Sequence, residues 1–190
     1  MHLPETLAAA AYAERMHAGQ VRGDGTPFIL HPLEVASLLH QSGAPDHVVA
    51  AGVLHDVLEK THAIAHELEQ RFGPAITGLV LAVTDDEQIE GYSDRKAALR
   101  RQVATAGEEA LAIFAADKVS KLRELRREAT AVPPPGGTTV GTPRLRARRL
   151  KHYRRSLAML EERLPDSPLV RELGIELAQL LHGRESSLLT

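Results

Sequence analysis

The chain has 190 residues, 23 basic and 25 acidic side chains, a net charge of −2 and no cysteine. Disulfides and thiolate metal sites are therefore excluded, and the small net charge argues against a general nucleic-acid binder. No run of about 18 uninterrupted apolar residues is present, and residues 1–13 lack the pattern of a secretory signal. These features predict a cytoplasmic protein that does not span a membrane.

Aromatic residues are scarce, with three Phe, three Tyr and no Trp. The core must therefore be built from Leu, Ala, Val and Ile, which favours an all-α helical bundle. We expect a single domain over residues 1–190, with its core at about 5–127. A Pro- and Gly-rich segment over 131–143 predicts a mobile loop, followed by C-terminal helices over 144–182.

The first elements are a helix from about Pro4 to His17 and a glycine-rich loop that ends at Pro27. Arg22 in this loop is a candidate phosphate contact, and a solvated arginine is the alternative. His31 then precedes a proline at the start of a second helix, which reaches about His40.

The central stretch, residues 50–61, is predicted to be one buried helix with a polar edge. Its apolar residues recur at spacings of three and four, while His55, Asp56 and Glu59 lie on another face. A His beside an Asp in an apolar helix is costly unless something pairs with them. A metal ion is the simplest partner for both side chains.

Two further side chains can complete such a site. His31 opens a helix, and Asp117 follows the apolar run 111–116. Two imidazoles and two carboxylates suit manganese, iron, magnesium or zinc, with open positions left for water. Glu59 lies one helical turn from His55, so its carboxylate can orient an attacking water or accept its proton.

Several local signals predict the remaining elements. Asp46 is expected to cap the central helix, and Ser93 to cap a basic helix. Gly73-Pro74 should interrupt the helix that follows residue 62. Residues 144–155 are strongly basic and form either a solvated face or a rim that attracts polyphosphate. Tyr153 within them could stack on a nucleotide base.

The order His31, His55-Asp56, Asp117 is that of the HD-domain metal-dependent phosphohydrolases. Within that superfamily, residues 18–32 and 54–61 resemble the opening and central motifs of the RelA/SpoT-type small alarmone hydrolases. Residues 116–119 resemble a further motif of that family. The resemblance implies an HD-domain bundle with one metal site in its core, manganese as the favoured metal and a nucleotide substrate. It implies that the 3′-pyrophosphate of (p)ppGpp is removed.

The chain departs from this family at two positions beside predicted ligands. Lys60 stands where the family usually has Asp, and Lys121 stands where it commonly has Asn. Each lysine lies four residues after a predicted ligand, Asp56 or Asp117, so each can pair with that carboxylate. The two lysines predict a more cationic substrate pocket, which either redirects the activity or reduces it.

Two alternatives to (p)ppGpp hydrolysis remain open from the sequence. The protein could hydrolyse another nucleotide, such as a nicotinamide dinucleotide phosphate. It could instead be a weakly active or inactive scaffold that binds a nucleotide. A homo-oligomer is compatible with either alternative.

Overall fold

The computed structural model describes residues 3–130 and 143–185. Those residues form nine helices, and their only β-type pairing is an isolated bridge between Val21 and Pro27. In chain order the helices are α1 (Pro4–Met16), α2 (Leu30–Gln41), α3 (Asp46–Leu54), α4 (Val57–Lys60), α5 (Ala65–Val83), α6 (Tyr92–Thr105), α7 (Glu108–Thr130), α8 (Pro143–Arg163) and α9 (Pro168–Glu185). The all-α prediction is confirmed.

Two sequence predictions concern the later part of the chain. The predicted mobile loop lies outside the described residues, apart from Pro143, which begins α8. The predicted C-terminal helices correspond to α8 and α9. Within the described ranges, no helix combines the length and apolarity needed to cross a bilayer.

Helix α3 lies at the centre of the bundle. Every residue from Val48 to Leu54 is buried, and α3 packs against α1, α2, α5 and α7. A helix that is apolar on all sides is stable only when other helices surround it. The residues that directly follow α3 are therefore placed inside the protein.

The central helix is not continuous, contrary to the prediction from its periodicity. Helix α3 ends at Leu54 and α4 begins at Val57, so His55 and Asp56 form the junction between them. Asp56 has φ −97° and ψ −3°, in the sparsely populated region where many active-site residues are found. His55 keeps helical dihedral angles (φ −56°, ψ −32°), so the irregularity is at Asp56.

Two capping predictions were wrong. The Asp46 carboxylate caps α1 instead of α3, because it accepts hydrogen bonds from the backbone N–H groups of Glu5 and Thr6 at 2.9 and 3.0 Å. Helix α6 begins at Tyr92, after Gly91 with φ +81°, and no side chain caps it. Ser93 is thus already inside the helix.

The predicted interruption at Gly73-Pro74 is confirmed. Gly73 has φ 79° and ψ 168°, which breaks α5 into two helical segments. Only glycine adopts this conformation readily, and Pro74 then fits the first turn of the second segment.

Gly52 sets how closely α2 and α3 approach. A Cβ atom at this position would lie 2.3 Å from Cδ1 of Leu39 and 3.5 Å from Cγ1 of Val35. Both neighbours are completely buried, so they have little room to move. The missing side chain thus lets the helix that carries His31 pack tightly beside the end of α3.

We expect Gly52→Ala to destabilise the fold by about 1–3 kcal/mol through overpacking. Gly78→Ala in α5 is the matched control, because a Cβ there would meet nothing within 4 Å. The control should be neutral, or stabilising by up to about 1 kcal/mol, since alanine has the higher helix propensity. Denaturant unfolding measures both variants, and equal stabilities would show that α2 yields freely at this contact.

Candidate metal centre

Four buried side chains from three parts of the chain meet in the core. His31 comes from α2, His55 and Asp56 from the α3–α4 junction, and Asp117 from α7, and all four are at most 5% exposed. The two histidine Nε2 atoms are 3.2 Å apart. Asp117 Oδ1 lies 3.2 and 3.5 Å from them, and Asp56 Oδ2 lies 3.5 Å from each.

These spacings fit one ion. Two ligand atoms at right angles, each about 2.1 Å from an ion, are about 3 Å apart. Suitably placed atoms of His31, His55 and Asp117 all lie within 4.8 Å of one another. The four predicted ligands are therefore brought together, as the sequence pattern required.

The hydrogen bonds of the two imidazoles fix which nitrogen is free. His55 Nδ1 lies 2.8 Å from the Gly52 carbonyl and must donate to it. His31 Nδ1 lies 2.9 Å from Ser120 Oγ, whose own hydroxyl hydrogen goes to Glu34 at 2.9 Å, so the imidazole donates here too. In neutral rings, both Nε2 atoms then carry lone pairs that face each other. Such lone pairs repel unless a cation lies between them.

The carboxylates of Asp56 and Asp117 also favour a bound cation. Asp56 Oδ2 and Asp117 Oδ1 are buried and have no hydrogen-bond partner in the described residues. Burial raises the pKa of both groups, but the nearby positive charges, Lys121 and His55 for Asp56 and Lys118 and Lys121 for Asp117, lower it below the usual range. Two ionised carboxylates beside two imidazole Nε2 atoms, which become ligands once a metal ion displaces any proton on them, are a donor set that suits a divalent metal.

The pKa of His55 reflects the same field. Burial by itself lowers it, but Asp56 and Asp117 outweigh burial and raise the pKa above its ordinary value. The centre thus favours positive charge even on a buried imidazole. This electrostatic preference is the one that a metal ion would satisfy.

Two lysines contact the Asp117 carboxylate. The predicted pair with Lys121 is present, at 2.9 Å from Oδ1, although its geometry is not that of a hydrogen bond. Lys118, which is buried, binds Oδ2 and lies 4.2 Å from the centroid of the Phe114 ring. Burial lowers the pKa of Lys118 to about 8, against the opposing effect of Asp117.

Lys60 does not behave as its spacing predicted. It is exposed, and among residues 3–130 and 143–185 no ion pair joins it to Asp56. Its carbonyl accepts a hydrogen bond from Gln20 Nε2 at 2.7 Å. The preceding Glu59 is half-buried, and its Oε1 accepts the backbone N–H of Asp85.

Arg22 is held by a carboxylate. Its Nε lies 3.3 Å from Glu124 Oε1, and its side chain is only 6% exposed. The solvated alternative is therefore wrong. The adjacent Gly23 lines the cavity described next.

A cationic cavity of about 320 Å³ adjoins the four ligands. Lys118 and Lys121 connect the cavity to the proposed ligands, because both lysines line the cavity and contact Asp117. Tyr153 is buried in its wall, and Glu124 and Glu128 are its acidic residues. Its cationic wall residues are Lys60, Lys96, Lys118, Lys121 and Arg149. Such a lining suits a ligand with several negative charges.

Two side chains that orient His31 were not predicted from the sequence. Glu34 and Ser120 form the hydrogen-bonded chain behind His31. Each lies three residues after a ligand, His31 or Asp117, so helical spacing placed both on the ligand-bearing faces. Arg123 then fixes Glu34 from α7 at 3.3 Å.

Comparison with known proteins identifies the class. A family model described as "HD domain" matches residues 9–134, and the chain belongs to this family. It is 39% identical over 127 residues to the human guanosine-3′,5′-bis(diphosphate) 3′-pyrophosphohydrolase MESH1, covering 65% of this chain and 70% of that protein. A GTP pyrophosphokinase from Streptomyces coelicolor is 34% identical over 117 residues, which cover 60% of this chain and 14% of that protein.

Two solved structures have the same fold. One, described as a metazoan ortholog of SpoT that hydrolyses ppGpp, has a TM-score of 0.77, 26% identity and 97% coverage of both chains. The other, from Listeria monocytogenes, has a TM-score of 0.70 and 25% identity, over 82% of this chain and 98% of that one. The resemblance to RelA/SpoT-type HD proteins is confirmed.

Proposed function

We propose that the protein is a metal-dependent (p)ppGpp 3′-pyrophosphohydrolase. Water would replace the 3′-oxygen at phosphorus, so that ppGpp yields GDP and pyrophosphate, and pppGpp yields GTP and pyrophosphate. The observation that carries the proposal is the convergence of two imidazole lone pairs and two ionised carboxylates beside a cationic cavity. The 39% identity of the chain to MESH1 supports the choice of substrate.

The metal would be held by His31, His55, Asp56 and Asp117. A bound divalent ion polarises the phosphoryl oxygen and lowers the pKa of the attacking water. Manganese is the metal we propose, with iron, magnesium and zinc as the alternatives for this donor set. A cytoplasmic location and a homo-oligomer stay predictions.

Glu59 is the proposed proton acceptor. The Asp85 N–H holds Oε1, which fixes the orientation of the carboxylate. We assign Oε2, the other oxygen of this carboxylate, as the atom that accepts the proton of the attacking water. A positioned general base typically increases the reaction rate by about 10²–10⁴-fold.

The substrate contacts are assigned from the lining of the cavity. Lys60 and Lys121 would neutralise phosphate oxygens, and Tyr153 would pack against the base. Arg22 would reach a phosphate only by leaving Glu124, so its proposed role is to hold the loop next to Gly23 and exchange partners when substrate enters.

A nucleotide panel tests the choice of substrate. Manganese-loaded protein is supplied with ppGpp, pppGpp, GTP and nicotinamide dinucleotide phosphate at equal concentrations, and kcat/KM is measured for each. The proposal requires the two alarmones to be the best substrates. A higher kcat/KM for the dinucleotide phosphate would indicate a hydrolase of another nucleotide. Tight binding without turnover would indicate an inactive nucleotide-binding scaffold.

Lys60→Asp is expected to raise kcat for ppGpp about tenfold, equivalent to about 1.4 kcal/mol of barrier. A second carboxylate next to Glu59 would help to orient the attacking water, whereas the ammonium can only contact phosphate. Affinity should fall or stay level. Lys60→Ala is the control, because it removes the cation without adding a carboxylate. If wild type is fast and Lys60→Asp is slower, Lys60 contributes directly to turnover.

A further inference from the structure

A second cationic depression lies between α6 and α8, and we call it the α6–α8 crevice. It has a volume of about 50 Å³. A water molecule needs about 10–15 Å³ of accessible cavity, so the crevice has room for one tetrahedral anion. Tyr92, Ser93 and His152 line it together with its cationic residues, which are Lys96, Arg100, Arg148, Lys151 and Arg155.

The charges of the crevice are not balanced by protein. Its lining has five cations and no carboxylate. Lys96 is paired with Asp85, but in the described ranges none of the other four cations has a carboxylate partner. Burial and the charge of Arg155 both lower the pKa of Arg100, as expected where like charges are close together. An anion in the crevice would turn this repulsion into attraction.

One guanidinium of the crevice is already fixed in position. Arg100 donates a hydrogen bond to Nδ1 of His152 at 2.7 Å. His152 is buried, and burial together with Lys118, Lys96 and Arg100 lowers its pKa to about 2, so the ring stays a neutral acceptor. This bond uses one of the five N–H groups of the guanidinium. Arg100 therefore loses little conformational freedom when it binds an anion.

The spacing on α8 separates the crevice from the cationic cavity. Arg148, Lys151 and Arg155 lie at i, i+3 and i+7, on one face of the helix. The intervening Arg149 lines the cavity and not the crevice. The same helix thus presents cations to two depressions.

We infer that the α6–α8 crevice binds a phosphate group of a small molecule, at a site distinct from the candidate metal centre. Phosphate oxygens match the forked N–H groups of arginine, and a crevice of this size fits one such group but not an extended chain. Tyr92, Lys96 and His152 line both depressions. An anion in the crevice would therefore alter the field inside the cationic cavity.

Equilibrium dialysis against radiolabelled inorganic phosphate tests the inference on the purified protein as isolated. Arg155→Glu should reduce affinity at the crevice about tenfold or more and so remove one bound phosphate per chain relative to wild type. Arg154→Glu is the matched control, because it is the neighbouring exposed residue, makes the same charge change and lines neither depression. It should bind as much phosphate as wild type.

Either of two results overturns the inference. Arg155→Glu could bind as much phosphate as wild type, or both variants could lose phosphate equally, as expected from a diffuse positive field. Parallel dialysis with GDP distinguishes the source of the phosphate group. GDP binding that depends on Arg155 indicates a nucleotide ligand, whereas phosphate binding alone indicates a free inorganic anion. Because the readout is binding, it stands apart from the outcome of any hydrolysis assay.

Discussion

Replacing His55 and Asp56 together with alanine should abolish metal binding and turnover. The double variant removes one imidazole and the Asp56 carboxylate, whose Oδ2 is one of the two oxygens of the site without a hydrogen-bond partner. The two remaining ligands would leave an incomplete site. Elemental analysis should find about one divalent ion per chain in wild type, as expected for a single four-ligand centre, and almost none in the variant.

The control for this experiment is His62→Ala with His66→Ala. These two histidines are exposed and stand four residues apart, a spacing that could bind metal by itself. If the control keeps the wild-type metal content and the His55→Ala, Asp56→Ala variant loses its metal, the ion is localised to the central site. An unchanged metal content in a folded His55→Ala, Asp56→Ala protein would refute the site.

Glu59→Gln should keep the metal and lose about a hundredfold or more in kcat, equivalent to about 2.7 kcal/mol. Glutamine can still accept the Asp85 N–H through its amide oxygen, so the local structure should persist. What it cannot do is take a proton at neutral pH. Exposed Glu69 on α5, changed to Gln, is the control. Wild-type turnover in Glu59→Gln would remove Glu59 from the chemistry.

The convergence of the four proposed metal ligands was predictable, because a buried His next to an Asp is costly unless something pairs with them. A His next to an Asp inside an apolar segment needs a partner, and His31 and Asp117 supplied the missing donors. The helical class followed from a composition with few aromatic residues, which leaves Leu, Ala, Val and Ile to build most of the core. The ligand prediction and the all-α prediction both depend on residue type and local pattern, and the tertiary contacts of the structure agree with them.

The failures involve contacts between distant residues. Asp46 reaches the N–H of Glu5 across 41 positions, so a local capping rule assigned it to the wrong helix. Arg22 finds Glu124 across 102 positions, a pairing that no local pattern predicts. The break after Leu54 was also mispredicted. The apolar periodicity of residues 50–61 is uninterrupted, whereas His55 and Asp56 contact side chains of α2 and α7 that the local pattern does not include.

The lysines illustrate both outcomes. Helical spacing correctly predicted the contact of Lys121 with Asp117, since both lie within α7. The same rule allowed a contact of Lys60 with Asp56, which is not formed among the described residues. The Lys60 N–H does bond to the Asp56 carbonyl, but the Asp56 carboxylate is buried beside the histidines while the Lys60 side chain is exposed. Helical spacing brings two residues onto one face, but burial decides whether their side chains meet.

The most direct test follows the products of ppGpp under manganese. Wild-type protein is stripped of metal, assayed, reloaded with manganese and assayed again, with GDP and pyrophosphate measured in the same samples. The account predicts no turnover without metal, and equimolar GDP and pyrophosphate after reloading. Intact ppGpp in the presence of protein that contains one manganese ion per chain would contradict it.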